Sequence, residues 1–592
     1  MKKVFYYLKP YRYRMAFGFV VKVLGTFMDL GLPWVLAYII DSVVPKKNVP
    51  LILWWGAIMI ALAVGARTFN IIANRMASKV ARNAVEVLRH DLFDKILSLS
   101  GTQLDYFTVP SLESRMTTDT YNIHNMIGVM QRIGVRAPII LIGGIIITST
   151  LEPVLTLVLL GVLPFLAFVV FLVSKKGIPY YTQLQISVDR MIRIVRENIT
   201  GIRIIKALSK TQSEKNRFDQ INSEVSQKEQ KAGMTMAITN PVMNLLLNLG
   251  LTLVVIVGAY RVNSGASEPG KIVAFLSYFT IMLQAVMAIT RIFVVYSKAS
   301  ASASRIAEVL DTEEDLKVME SNAVATAEPT TDTYTHLNID EVVTQSEVKF
   351  EEGREHISFD HVYFSYAMEP CLTDIHFSIP RGGSLGIIGS TGSGKTTLIN
   401  LLMRFYDVGK GEIRIDGRNI RSIDKRELRK KFGVAFQNDI LFADTVYENI
   451  SMGRELDKAK VQEGAEHAQA SFVDELDQKL DYRLAIKGSN LSGGQKQRLL
   501  IARALAGDPE IIILDDSSSA LDYKTDAQLR QAIRNHYKDT TTIVIAQRIS
   551  SVMKLDHILV LEDGHMVGYG SHEELINTCE VYQEIYQSQL MS

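Results

Sequence analysis

Disulfide cross-links have little to work with in this chain: among 592 residues only Cys371 and Cys579 are cysteines, both in the second half. Nothing calls for an oxidising compartment, and each thiol is expected to be buried and inert. A surplus of charge is missing as well. Sixty-four Lys and Arg face 63 Asp and Glu, a formal net charge of +1, which gives no support to a nucleic-acid partner. The pattern of a cleavable leader is also lacking. Met1-Lys2-Lys3 is basic, but Lys9, Arg12 and Arg14 interrupt any early apolar run and no small-residue cleavage site follows. The segment reads instead as a cytoplasmic elbow.

What the first half does contain is apolar length. Runs near 15–40, 51–74, 133–151, 154–174, 241–262 and 272–297 each approach the roughly 20 residues that cross a hydrocarbon core of about 30 Å. Six crossings return both termini to one side. Leu151-Glu152-Pro153 makes a short external connection, whereas the long polar stretches 75–125 and 175–238 carry most of the Lys and Arg, which places them and both termini in the cytoplasm. In these stretches charged and apolar residues alternate at helical spacing, as from Val80 to Arg89, so the membrane helices are expected to continue into the cytoplasm.

Residues 1–310 therefore read as an all-α, six-helix membrane domain. From 311 to 355 the chain is rich in Glu, Asp and Thr and reads as a solvated acidic linker. Residues 356–592 form an α/β domain, opening with Ile357 to Tyr366, which alternates like a strand pair. A buried strand, Leu385 to Ile388, then runs into Gly389-Ser390-Thr391-Gly392-Ser393-Gly394-Lys395-Thr396-Thr397. Strand, glycine-rich loop and helix are the context a phosphate loop requires. Glycines let successive backbone N–H groups converge on an anion, and the helix adds its positive end. Lys395 supplies charge for the β- and γ-phosphates of ATP; Thr396 offers a hydroxyl to Mg²⁺; Asp515, closing the apolar run Ile512-Ile513-Leu514, can hold that ion through water.

Leu491-Ser492-Gly493-Gly494-Gln495 follows, with Gln437 in Val434-Ala435-Phe436-Gln437 before it and Ser519-Ala520-Leu521-Asp522 after it. On these motifs nearly the whole chain resembles the ATP-binding cassette (ABC) exporter half-transporters. The resemblance implies that Leu491, Ser492, Gly493, Gly494 and Gln495 complete the site of a second subunit, with Asp522 as a cross-dimer contact. It also implies adenine stacking by Tyr366 and a Mg²⁺ and coupling role for Gln437.

Three departures from the family pattern stand out. Asp516 occupies the place of the usual catalytic glutamate, and one methylene less leaves its carboxylate short of the attacking water. Gln547 occupies the place of the switch histidine and cannot carry an imidazole's charge or shuttle its proton. Ala485-Ile486-Lys487-Gly488 lacks the acid of the usual Gly-Glu-Arg-Gly. An intact signature beside two degenerate catalytic positions implies a heterodimer whose other subunit has the consensus residues.

The resemblance also marks Leu112–Asn122 and Asn198–Ser209 as coupling segments, the first begun by a capping Ser111 and the second by a helix break at Thr200-Gly201. Within the crossings, Lys22 and Asp29 lie on similar faces, as do Asn244 and Asn248, and are expected to point inward. Lys22 and Arg291, near helix ends, are expected to snorkel, and no charge cluster selects an ionic cargo. The reading is a multidrug-type exporter subunit in a bacterial cell membrane, moving amphipathic compounds. Lipid or peptide export, or nucleotide-gated regulation of a membrane protein, are the alternatives.

Overall fold

The computed structural model describes residues 1–319, 355–366, 369–437, 439–517 and 520–590. Most of the expected acidic linker, residues 320–354, lies outside them, as does Ser519. The chain forms two compact units: Met1–Ser98 with Phe107–Thr312, and Leu99–Tyr106 with Glu313–Ser592.

The first unit is helical. Its long helices are Arg12–Tyr38, Val49–Ser98, Val135–Leu151, Pro153–Thr200, Thr239–Asn263 and Pro269–Asp311. Among the described residues, Lys2–Lys46, Val49–Ser98, Val109–Leu151, Pro241–Asn263 and Pro269–Asp311 hold stretches long and apolar enough to cross a membrane. The remaining expected run starts with the apolar turns Pro153–Val162. Val49–Ser98 has 50 residues, about 75 Å at 1.5 Å per residue, so it extends far beyond any bilayer core.

Small residues let these helices approach closely, the usual device where lipid removes the hydrophobic drive between helices. A Cβ on Gly250 would stand 2.3 Å from the Phe279 ring, and one on Gly144 would stand 2.6 Å from Met282 Sδ. Phe275, Tyr278, Phe279 and Met282 are fully buried there with Leu30, Leu155 and Leu159. The Tyr278 hydroxyl donates to the Leu30 carbonyl at 2.5 Å, which satisfies the one polar atom that ring brings inside.

Leu112–Asn122, the first expected coupling segment, is built into this first unit. Buried Asp119 is the reason. Its carboxylate accepts from Ser302 Oγ at 2.8 Å and from Arg305, through Nε at 2.8 Å and through an Nη. Asn122 donates to Ser302 Oγ at 3.0 Å, and Arg115 donates to the Arg305 carbonyl at 2.6 Å. Ser111 is not a cap: the helix starts at Val109 after Thr108 without a side-chain cap, and Ser111 Oγ accepts from Arg115 Nε at 3.3 Å. The expected break at Gly201 is present, closing Pro153–Thr200.

The second unit is built on ten strands: β1 Glu355–Tyr366, β2 Glu369–Pro380, β3 Ser384–Gly389, β4 Lys410–Ile415, β5 Arg418–Asn419, β6 Phe432–Ala435, β7 Ile511–Asp515, β8 Thr541–Ile545, β9 His557–Glu562 and β10 His565–Gly570. Their order is β5-β4-β1-β2-β10-β9-β3-β8-β7-β6. Strands β9, β3, β8, β7 and β6 run parallel, and their near-continuous Ile, Leu and Val content reflects burial on both faces. Strand β1 lies antiparallel between β2 and β4. Ile357–Tyr366 is thus one strand with register shifts, not the expected pair.

Arg305→Ala would leave the Asp119 carboxylate buried without its cation, a change that typically costs about 3–5 kcal/mol. A marked fall in the thermal midpoint of the detergent-solubilised chain is expected; an unchanged midpoint would show that the ion pair carries no stability.

Candidate nucleotide-binding site

Three strand ends of the parallel sheet converge to make the site. Strand β3 delivers the phosphate loop, β7 delivers Asp515 and Asp516, and β8 leads to Gln547. Gly389, Gly392 and Gly394 have φ of +159°, +89° and +97°; the last two lie where side chains are disfavoured. Gly394 is also sterically fixed, since a Cβ there would meet Leu372 Cδ2 at 2.5 Å. The loop is cradled from behind by Cys371 and Leu372 of β2, and Cys371 Sγ lies 3.4 Å from Thr397 Oγ1. Cys371 is therefore only partly buried, unlike Cys579, which corrects half of the expectation for the thiols.

Lys395 folds back over the loop, donating to the carbonyls of Gly389 at 3.0 Å and Ser390 at 2.6 Å, with Ser393 Oγ at 3.5 Å. Burial holds its ammonium below the ordinary lysine value, opposed by Asp515 and Asp516. The Thr396 hydroxyl donates to Asp515 Oδ2 at 3.1 Å, an oxygen pair suited to a Mg²⁺ ion that keeps several waters. Burial raises the Asp515 carboxyl above the usual range, Thr396 opposing and Asp516 adding to it. A dication at that oxygen would relieve the cost of a charge taken out of water.

Asp516 departs from ordinary backbone, with φ of +48°. One of its carboxylate oxygens, Oδ2, accepts from Gln437 Nε2 at 3.0 Å and from Gln547 Nε2 at 2.9 Å. Burial raises this carboxyl too, while the two amides pull it down. The backbone at Gln547 is held in turn: its main-chain carbonyl accepts from Gln589 Nε2 at 2.8 Å, and Gln589 Oε1 accepts from the Ile549 N–H at 2.8 Å. The hold by Gln589, on the last described helix, Glu580–Leu590, has no sequence signal, because only the fold brings that helix to Gln547.

Tyr366 closes β1. Its hydroxyl donates to Thr397 Oγ1 at 3.4 Å, and its ring meets Phe364 and Tyr406 edge-on with centroids 4.8 and 5.2 Å away. Tyr406 in turn donates to Asp105 at 2.8 Å, and the Gly101 N–H donates to the Phe405 carbonyl at 3.0 Å. A Cβ on Gly101 would come within 2.5 Å of the Tyr406 ring. Leu99–Tyr106, about ten residues before the expected coupling segment, is thus the stretch of the first half that belongs to this unit.

The signature lies in a different core from the loop, packed with Leu499, Leu500 and Ile501. Ser492 is exposed and caps the helix Gly493–Leu505; its N–H donates to Gln495 Oε1 at 2.9 Å while its Oγ accepts from the Gln495 N–H at 3.3 Å. This reciprocal pair satisfies two helix-start donors. Leu491 is buried and Gly494 faces the Ala520 carbonyl. Asp522 caps the next helix through Thr525, and these bonds hold its carboxyl below the usual range. Among the described residues, no hydrogen bond links signature and phosphate loop. Lys487 sits in the left-handed region at φ +56° beside exposed Ile486.

Comparison with known proteins agrees with this architecture. The ABC transporter transmembrane region matches residues 15–286 and the ABC transporter domain matches residues 372–519. The ABC transporter ATP-binding protein YfiB of Bacillus subtilis is 33% identical over 595 residues, covering 100% of this chain and 98% of the relative. This chain belongs to the ABC transporter family. The transporter is also similar to the ATP-dependent lipid A-core flippase 1 of Colwellia psychrerythraea, 28% identical over 99% of this chain and 96% of the flippase. A solved structure of a bacterial Atm1-family ABC exporter with ATP bound shares the fold, with TM-score 0.80 and 23% identity over 98% and 99% of the two chains. The transporter is thus a multi-pass membrane protein with an ATP-hydrolysing ABC domain.

The membrane half holds a second candidate site. A cavity of about 1000 Å³ is lined by Lys22, Arg132, Arg136 and Arg291 against one carboxylate, Asp29, with apolar walls that include Leu36 and Ile140. This corrects two expectations. Lys22 does not snorkel: it is 3% exposed and donates to Asn74 Oδ1 at 3.0 Å. Nor is charge sparse. Arg132 and Arg136, one helical turn apart, fall at the edge of an apolar run, where their i, i+4 spacing is legible in the sequence. Asp29 both lines the cavity and ties helices together, accepting from Arg136 at 2.9 Å and Asn70 at 3.2 Å. Asn244 and Asn248 are exposed on this chain and do not line it.

Because the Asp515 carboxyl is raised, a proton competes with a cation there at higher pH than at an ordinary aspartate. The Mg²⁺-dependent part of ATP affinity should weaken as pH falls, beginning above the usual carboxylate range, and Thr396→Val should lower it about tenfold, or ~1.4 kcal/mol. Fluorescent-nucleotide titrations with and without Mg²⁺ across pH test this; a Mg²⁺ effect indifferent to pH and to the variant would contradict it.

Proposed function

We propose that this transporter is the degenerate-site subunit of a heterodimeric, multidrug-type exporter that uses Mg·ATP to move amphipathic compounds out of the cytoplasm or inner leaflet of a bacterial membrane. In this reading its own phosphate loop, residues 389–397 with Tyr366, Gln437 and Asp515, binds nucleotide firmly and hydrolyses it slowly. The carrying observation is the Asp516 carboxylate engaged by Gln437 and by Gln547, the residue in the switch-histidine place. A catalytic base contributes typically 10²–10⁴-fold to a rate, so shortening it and neutralising its neighbour leaves binding intact while slowing cleavage. Exposed Ser492 at a capped helix start supports a role for the signature on a partner's γ-phosphate. Exposed Ile199, Ile202, Ile204 and Leu208 along Asn198–Ser209 give the second coupling segment an apolar face for that partner.

The cavity favours one cargo class within this reading. Four cations against one carboxylate, with apolar walls, suit an amphiphile with an anionic head, and the similarity to a lipid A-core flippase makes lipid export the second reading. A nucleotide-gated regulator would need no cargo, so stimulation of ATP turnover by an anionic amphiphile in the reconstituted assembly separates transport from regulation.

Gentle purification of the tagged chain from its native membrane should bring with it a half-transporter having glutamate after its metal aspartate, identified by mass spectrometry; a verified homodimer with rapid, vanadate-sensitive hydrolysis would overturn the heterodimer. With the partner's glutamate removed, Asp516→Glu should restore part of the hydrolysis at this site and Asp516→Glu with Gln547→His more than the sum of the single changes. Full recovery from Asp516→Glu alone would show that Gln547 is not limiting.

Arg132→Glu with Arg291→Glu should abolish stimulation by anionic amphiphiles and spare stimulation by cationic ones. Equal loss of both would remove the cavity's charge from the selection of cargo.

A further inference from the structure

Strands β1 and β2 carry a cluster that nucleotide chemistry does not use. His361 Nδ1 lies 2.6 Å from Asp374 Oδ1, and the His376 ring stands beside them with its centroid 5.1 Å from that of His361. Metal-capable atoms of all three side chains lie within 4.8 Å of one another. We propose that His361, Asp374 and His376 bind a divalent transition-metal ion of the zinc or copper class.

Local backbone explains why the three meet. The pairing of β1 with β2 shifts register between Phe359 and Val362, and both His361 and Asp374 adopt positive φ, +43° and +55°. A bulge of this kind re-aims side chains, and here it swings the two across the strand pair toward each other. His376, two residues beyond Asp374, shares its face of β2. The three range from open to sheltered, with side chains 66%, 43% and 18% exposed for His361, Asp374 and His376. An ion can therefore enter from solvent and keep a water as its fourth ligand.

The donor set suits the ion class. Two imidazoles and a carboxylate are borderline ligands that favour zinc, copper or nickel over Mg²⁺ or Ca²⁺. Tetrahedral bonds of about 2.0–2.1 Å set neighbouring ligand atoms roughly 3.3 Å apart, so separations between 2.6 and 4.8 Å need only side-chain rotation. Outer contacts that orient the ligands are in place. One is the Asp374 carbonyl, 3.1 Å from His376 Nδ1, which keeps that ring nitrogen beside the Asp374 carboxylate, 4.0 Å from Oδ1.

Charge separates this cluster from its counterpart in the same unit. His356, Asp416 and Glu510 are equally close, but Arg381 and Lys431 already pair with both of those carboxylates, at 2.5 and 3.7 Å for Asp416 and 3.8 and 2.7 Å for Glu510. An ion there would meet two fixed cations. Asp374, among the described residues, has only the two histidines as ion-pair partners.

The test uses the full-length transporter, purified through a histidine-free tag, stripped with chelator and desalted. Zn²⁺ uptake measured by elemental analysis, and Co²⁺ uptake read by its visible absorption, should give one ion per chain above the level of His361→Asn with His376→Ser. Removing an outer-shell contact costs 10–100-fold in metal affinity, so each single histidine variant should lose at least about tenfold. Nucleotide binding by each variant reports that the unit still folds. No stoichiometric uptake by the unaltered chain, or the same affinity in the histidine variants, would overturn the assignment, while lost uptake only in His356→Asn would move the site to the other cluster.

Discussion

A carboxylate taken out of water must be met by donors, and the placement of a few aspartates shapes both halves of this transporter. Asp119 gathers Arg305 and Ser302 and so fixes Leu112–Asn122 to the helix Pro269–Asp311. Asp29 draws Arg136 and Asn70 to the cavity wall. Asp515 takes the Thr396 hydroxyl, and Asp516 takes two glutamine amides from separate strand ends. In each case the acid joins elements that are distant in sequence, and removing its donors would leave a charge with nowhere to go.

At Asp516 this requirement and the chemistry are linked. A glutamate there would extend the carboxylate by one methylene beyond the atom that the two amides now hold, and a histidine at 547 would bring a ring in place of an amide. Asp516 and the two glutamine amides satisfy one another. The residues at the two positions are matched in hydrogen bonding, since the Gln547 amide supplies a donor that the Asp516 carboxylate accepts.

Much of this was legible in the sequence because its signals are local. Apolar runs of membrane length and the glycine spacing of 389–394 each depend on neighbours a few residues away; five of the six expected runs lie in helices long and apolar enough to cross a membrane among the described residues, and the loop follows its strand. What escaped depends on distant pairs. Nothing near Asp119 announces Arg305, and nothing near Gln547 announces Gln589. For Lys22 the distance from the helix terminus is visible in the sequence and the burial against Asn74 is not. Ile357–Tyr366 alternates as a pair of strands would, but its register shifts belong to a single bulged strand.

The segment Leu99–Tyr106 gives the soluble half a piece of chain that its own numbering would never include. A fragment begun at residue 356 would keep every nucleotide motif and still uncover the Tyr406 ring, with the Phe405 carbonyl stripped of its Gly101 donor. Solubility and thermal behaviour measured on such a fragment would describe an open wound rather than the native surface, and supplying residues 99–106 as a free peptide is the way to close it.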